Sequence, residues 1–139
     1  MTIVKQMALD KDVRTLLTET KAGDKITESA DYQMVFHEME KIAAADSDNI
    51  QAVWLGDIDA NVLTQSDGFT SDSSFEITER AWYRAVETDS TILTSVYVDA
   101  STGNLILSAA APVYDENGKN IIGVAGADIA LDHIDELLP

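Results

Sequence analysis

The stretch NLILSAAAPVYDENGKNIIGVAGADIAL, residues 104–131, decides how this 139-residue chain folds. Two apolar, β-rich runs, NLILSAAAPVY and NIIGVAGADIAL, flank DENGK, where Asn117 and Gly118 supply turn chemistry that tolerates left-handed backbone. So short a connection makes the runs antiparallel, because parallel neighbours need a long crossover. TILTSVYVD (91–99) is a third strand candidate, joined to the next run by ASTG. Farther back, IQAVWLGDI (50–58) alternates and is rich in strand formers, and Asp59-Ala60-Asn61 turns it into VLTQ, a hairpin. Five strands linked mostly by hairpins form an antiparallel sheet.

The rest of the chain reads as helix. Over residues 1–22 Ile3, Met7, Val13, Leu16 and Leu17 recur with a loose helical period, and Gly23 is placed to close the helix. A second helix over 30–46, capped by Ser29 or Asp31, carries Met34, Phe36, Met39, Ile42 and Ala43 on one side. A polar loop, Ser66 to Ser74, leads into FEITERAWYRAVE, which is helical from Arg84 on, and LDHIDELL at 131–138 starts a terminal helix. The spacing therefore predicts one α+β domain, 1–139, with the sheet and its core over 50–131 and helices covering the sheet.

Composition excludes several functions. The chain has 25 acidic and 9 basic side chains, a net charge of −16 and a pI near 4.1. Binding DNA or RNA needs a basic face to neutralise phosphates, and so does a polybasic grip on lipid, so neither is expected. With no cysteine and two histidines, His37 and His133, that lack metal-ligand spacing, no metal or cofactor site is predicted. Asp57, Asp59, Asp67 and Asp72 lack the spacing of a calcium loop and read as solvated loop carboxylates. The longest apolar run is far short of the roughly 20 residues that span a bilayer, and no export signal precedes the first helix. If the domain works outside the cell, the segment that would anchor or export it is expected to lie elsewhere.

Three places carry chemistry. In FEITERAWY (75–83), Arg80 and Trp82 would face the same way on an extended segment, and a guanidinium with an indole N–H suits a carboxylate. The alternative is a surface arginine paired with Glu79 or Glu87 and a tryptophan plugged into the core. Tyr97 either points into a pocket or is one more strand aromatic. Asp128 lies in the apolar run GVAGADIAL, where a carboxylate is costly unless paired, hydrogen-bonded or turned to water at a strand edge. Donors at Arg80 and Trp82, with Asp128 and an aromatic wall from Tyr83 or Tyr97, complement a zwitterion such as a free amino acid.

These residues, in this order, resemble the ligand-binding module of Cache sensor domains, the extracytoplasmic PAS-like domains of chemoreceptors and sensor histidine kinases. The similarity spans about residues 50–131 and is greatest to the membrane-distal module of the amino-acid-binding class. That class carries an aromatic, four residues, Arg, one residue, Trp-Tyr, then a Tyr and an Asp; here these are Phe75, Arg80, Trp82, Tyr83, Tyr97 and Asp128. The resemblance implies a PAS-like sheet and a non-enzymatic sensor of a membrane-anchored receptor. It further implies a ligand carboxylate held by Arg80 and Trp82, an ammonium held by Asp128 with Tyr83 and Tyr97, and pairing of copies along the N-terminal helix. One departure stands out: Phe75 replaces the family's usual tyrosine, and a lost hydrogen bond to a charged group is worth roughly 1.5–3 kcal/mol.

Other readings remain open on the residues alone. An amine needs only Asp128 and the aromatics, and a small carboxylic acid or a binding-protein partner would also suit a sensor. A hydrolase is disfavoured, since neither a GxSxG elbow nor a glycine-rich phosphate loop is present. Selectivity would rest on residues 68–74 and on strand positions such as Ser95 and Ser108.

Overall fold

In the computed structural model, which describes residues 2–99, 102–103 and 105–131, helices precede the sheet. They are α1 (Thr2–Leu9), α2 (Lys11–Glu19) and α3 (Tyr32–Ala45). The strands are β1 (Ile50–Asp57), β2 (Val62–Gln65), β3 (Ile92–Leu93), β4 (Tyr97–Val98), β5 (Leu105–Tyr114) and β6 (Ile121–Ala130), with a short α4 (Arg84–Glu87) before β3. The sheet is antiparallel throughout, in the order β2-β1-β6-β5-β3, and β4 also pairs with β5.

Two local devices set boundaries that periodicity does not reveal. The helix expected over 1–22 is two helices, because Asp10 adopts an extended backbone and its Oδ1 accepts from the N–H groups of Asp12 and Val13, at 2.8 and 3.1 Å. That is an N-cap, and it restarts the helix. The single strand expected over 91–99 is two short ones, making six strands in place of five. At the break the Thr94 hydroxyl accepts the Ser108 N–H at 2.9 Å, a bond a ladder carbonyl would otherwise take. The terminal helix expected from residue 131 lies outside the described residues.

Both faces of the sheet are covered, which is why its central strands are almost continuously apolar. On one face Val53, Leu55, Ala109, Ala111, Val113, Ala125, Ala127 and Ile129 pack under α1–α3, against Val4, Met7, Leu16, Leu17, Val35 and Met39. The intervening positions face the other way: Trp54, Leu63, Ala110 and Val124 pack with Ile77, Trp82 and Ala85. Among the described residues no long helix lies over this second face. Its cover is the irregular segment from Phe69 to Tyr83, with short 3-10 turns at Ile77–Glu79 and Ala81–Tyr83.

Cross-strand register on the second face is organised by a missing side chain. Trp54 pairs across with Gly126, which pairs in turn with Ala110. The Trp54 indole lies flat over Gly126, and a Cβ built there would overlap the ring. Gly126→Ala is therefore expected to force Trp54 out of place, costing about 1–3 kcal/mol as an overpacked core site. Urea denaturation followed by tryptophan fluorescence measures it; an unchanged midpoint and emission maximum would contradict the packing described.

Candidate functional site

Asp128 sits one row further along the second face, level with Ala52 on β1 and Ser108 on β5. It is 1% exposed, so it is not a strand-edge carboxylate facing water. Burying a carboxylate demands donors, and two arrive from the neighbouring strands. The Trp54 indole N–H donates to Asp128 Oδ1 at 2.7 Å, and the Ser108 hydroxyl donates to the same oxygen at 2.7 Å. Trp54 reaches Asp128 because Gly126 leaves the path along the strand open.

The network continues outward through Tyr97. Its hydroxyl lies 2.5 Å from Ser108 Oγ, and burial, followed by the nearby Asp128 charge, holds its phenol above the ordinary range. The Arg80 guanidinium stands 5.7 Å over the Tyr97 ring and 5.4 Å from the centre of the Phe75 ring. A cation between two aromatic faces is attracted by both ring quadrupoles, at about 0.5–1 kcal/mol each when exposed. Arg80 Nη2 donates to the Val98 carbonyl only at 3.5 Å, and its Nε is buried without a partner. Among the described residues Arg80 makes no salt bridge to Glu79 or Glu87. Its guanidinium lines a cleft of about 500 Å³ with Phe69, Thr70, Phe75, Glu76 and Glu79.

Arg80, Phe75, Tyr97 and Asp128 are thus linked in one continuous set of contacts, which runs from a cation in the cleft to a carboxylate buried against the sheet. Trp82 and Tyr83 stand differently. FEITERAWY is not an extended segment but two 3-10 turns hinged at Arg80, whose own backbone is extended. The hinge sends Trp82 into the core, 2% exposed, tilted against Trp54 at 4.5 Å between ring centres. For Trp82 the core-plug alternative describes the packing. Tyr83 is half-buried at the border of the same cluster.

Two supporting residues escaped notice in the sequence. Trp54 lies within a β-rich run, and only its register with Gly126 reveals the indole as a donor to Asp128. Asn61, at φ 53°, uses both ends of its amide to hold the cleft segment. Its Nδ2 donates to the Phe75 carbonyl at 2.8 Å, and its Oδ1 accepts the Ile77 N–H at 3.0 Å. Ser95 is exposed, whereas residues 69–72 and Ser74 do line the cleft.

The acidic residues considered for calcium do not form a group. Asp67 and Asp72 accept local N–H groups in the loop, while Asp57 is not solvated at all but fully buried at the end of β1. Among the described residues the acidic oxygens that do converge, within 4.8 Å, belong to Asp10, Asp12 and Glu38.

With this geometry in view, comparison with known proteins decides the family. Residues 24–136 match the profile "Methyl-accepting chemotaxis protein-like, first PDC sensor domain". The chain belongs to that family of sensor domains. The sequence is 33% identical over 93 residues to the methyl-accepting chemotaxis protein PscA of Pseudomonas syringae pv. tomato, covering 66% of this chain and 14% of that protein. In fold it is similar to the ligand-binding domain of the Pseudomonas aeruginosa amino acid chemoreceptor PctC, solved with GABA. That match has a TM-score of 0.67 and 25% identity, over 96% of this chain and 54% of that one. The ligand-binding domain of the Pseudomonas fluorescens chemoreceptor CtaA, solved with L-serine, gives a TM-score of 0.67 at 22% identity, over 99% and 52% of the two chains. The chain thus spans about half the length of the solved relatives and a small part of the curated one. The Cache-type resemblance and the α+β, PAS-like sheet read from the sequence are both borne out, and the role is that of a sensor domain.

Two predictions concern the sensor domain alone. Burial pushes the Asp128 carboxyl up to about 7, with the Asp99 and Asp67 charges adding and the Ser108 and Trp54 bonds opposing. Burial also pushes Asp57 up to about 7. Unfolded aspartate titrates near about 3.9, so through this window the native state binds more protons, and stability from these two groups falls as pH rises from about 4 to 7. Asp72 and Asp115, held below the ordinary range by hydrogen bonds, act in the opposite sense at lower pH. Thermal midpoints between pH 5 and 7.5 should therefore fall less steeply with rising pH in Asp128→Asn and in Asp57→Asn than in the wild type. Asn61→Gly keeps the left-handed backbone without strain and removes only the amide. It should expose the Phe75–Ile77 backbone to faster amide hydrogen exchange while β5 and β6 stay protected.

Proposed function

We propose that this domain is the extracytoplasmic ligand-binding part of a membrane-anchored chemoreceptor and that it binds a free α-amino acid. The observation that carries the reading is the pair of opposite charges, Arg80 and Asp128, joined through Tyr97 and Ser108 with no other charge neutralising Arg80 among the described residues. The ligand carboxylate meets the Arg80 guanidinium in the cleft, where charge-assisted bonds are strong. The ligand ammonium meets Asp128, with the Tyr97 and Ser108 hydroxyls rotating to accept from it. Trp82 and Tyr83 contribute as wall, Trp82 by fixing Trp54 and through it Asp128. Phe75 stacks on Arg80 without adding a hydroxyl. The relatives support this reading, since PctC is an amino acid chemoreceptor solved with GABA and CtaA was solved with L-serine. In the parent receptor two copies pair along the N-terminal helices.

A second reading rests on the 1% exposure of Asp128: a simple carboxylic acid held at Arg80 alone, with Asp128 left closed. The two separate by isothermal titration of glycine, acetate and methylamine alongside the common amino acids. Amino-acid binding in the wild type, weakened about ten- to a hundredfold in Arg80→Ala and at least as much in Asp128→Asn, is expected. Acetate binding as tightly as glycine, indifferent to Asp128→Asn, would replace the amino acid by a carboxylic acid. Because an ammonium needs Asp128 ionised, amino-acid affinity should also rise with pH from about 5.5 to 7.5, and the Asn variant should lose that slope.

A further inference from the structure

Gln65, the last residue of β2, is 1% exposed, and its side-chain Nε2 is buried without an acceptor. Its backbone N–H is satisfied by the Phe69 carbonyl at 2.9 Å, so the unmet demand belongs to the carboxamide alone. A buried donor left unpaired is destabilising, whereas an apolar side chain of the same size at this position would cost nothing of the kind. Register fixes the face on which it lies. Gln65 pairs with Trp54, and Trp54 with Gly126; paired residues share a face. Gln65 therefore belongs with Trp54, Ser108 and Asp128 and not with the helix-covered side. Two strand spacings, about 10 Å, separate β2 from β6, with β1 and its buried Trp54 between. Gln65 lies behind the Arg80 cleft, which is lined by Phe69, whose carbonyl takes the Gln65 N–H, and by Thr70; a ligand seated in that cleft can direct its side chain toward Gln65.

Resting on the amino-acid reading above, we propose that Gln65 is the residue that reads the ligand side chain, selecting neutral side chains that carry an oxygen acceptor. Its Nε2–H donates to that oxygen. A site built with a waiting polar group discriminates strongly against the apolar analogue, which leaves the group unpaired. The acceptor is neutral because Asp67 and Asp99 lie close enough to raise the Asp128 carboxyl, and Asp72, Glu76 and Glu79 ring the cleft. An anionic side chain meets repulsion from all five.

The test is titration calorimetry with two near-isosteric pairs, L-asparagine against L-leucine and L-glutamine against L-methionine, on the wild type, Gln65→Leu and Gln65→Met. In the wild type the oxygen-bearing member of at least one pair should bind tenfold or more tightly. In Gln65→Leu that ratio should fall to one or below, while affinity for L-alanine changes by no more than about twofold. Each ratio is taken within one variant, so a general loss of stability cancels, and Gln65→Met repeats the test if the leucine variant folds poorly. The unliganded thermal midpoint should hold or rise, because the variants remove an unpaired donor; a plain structural role would lower it. Amino-acid binding with a ratio near one in the wild type, or a tenfold ratio that survives both variants, overturns the role of Gln65 and leaves the amino-acid reading standing. A wild type that binds no amino acid overturns both.

Discussion

One buried carboxylate sets the terms for this fold. Asp128 lies in the middle of a sheet with both faces covered, where an uncompensated charge would be destabilising by more than most single contacts can offset. Its two donors come from different strands, Trp54 on β1 and Ser108 on β5, so β6 must lie between them in one register. Slipping either pairing by one residue would send the donor to the opposite face. Gly126 is part of the same solution, since only an absent side chain lets the indole lie along β6. A polar requirement at one residue thereby specifies three strands, and the same requirement leaves a hydrogen-bonded carboxylate on the second face of the sheet.

Electrostatics explains how a strongly acidic chain can keep a cation out of any ion pair. Among the described residues the ion pair within 4.0 Å is His37 with Glu40, and Arg80 is in none. Two rings substitute for a carboxylate beside it. Stacking holds the guanidinium in place without neutralising it, and leaves its N–H edges clear of any carboxylate. Asp128 is treated in the converse way: hydrogen-bonded by neutral donors, it keeps a carboxyl raised toward neutrality instead of being permanently paired. Each charge is positioned by neutral neighbours, so each remains to be neutralised by something that enters.

Much of this was legible in the residues. The long hairpin at 104–131 follows from two apolar runs and a five-residue turn, and the resemblance carried by Phe75, Arg80, Trp82, Tyr83, Tyr97 and Asp128 in that order suggests one site. Sequence could not give the partners of Asp128, because Trp54 is 74 residues away and its relation to Gly126 exists only after β1 and β6 pair. Nor could it separate Arg80 from Trp82. Their two-residue spacing puts them together on a strand, and the 3-10 turns on either side of Arg80 put one in the cleft and the other in the core. The breaks at Asp10 and Thr94 are hydrogen-bond events at single side chains, invisible to a periodicity that averages over several residues.

The same strands serve two layers, and this has a consequence for how a bound ligand can be felt elsewhere. Asp128 faces the site, while Ala127 and Ile129 on either side of it are fully packed under the N-terminal helices. Ser108 is likewise flanked by Leu107 and Ala109 on the helix side. Close-packed interiors do not deform gradually; a change in one layer is either absorbed locally or shifts the layer beneath it. Local absorption is limited here, because the Asp128 donors are held by strand pairing and by the Trp54–Trp82 contact and not by free loops. On the proposed reading, an ammonium that took over the Ser108 and Tyr97 hydroxyls would alter the tie between β5 and β6, and α1 packs on both of those strands. Differential contact of a ligand with two arrangements of that tie is the physical requirement for signalling, and the alternation of Ala127, Asp128 and Ile129 between the two layers is the physical link on which it would act.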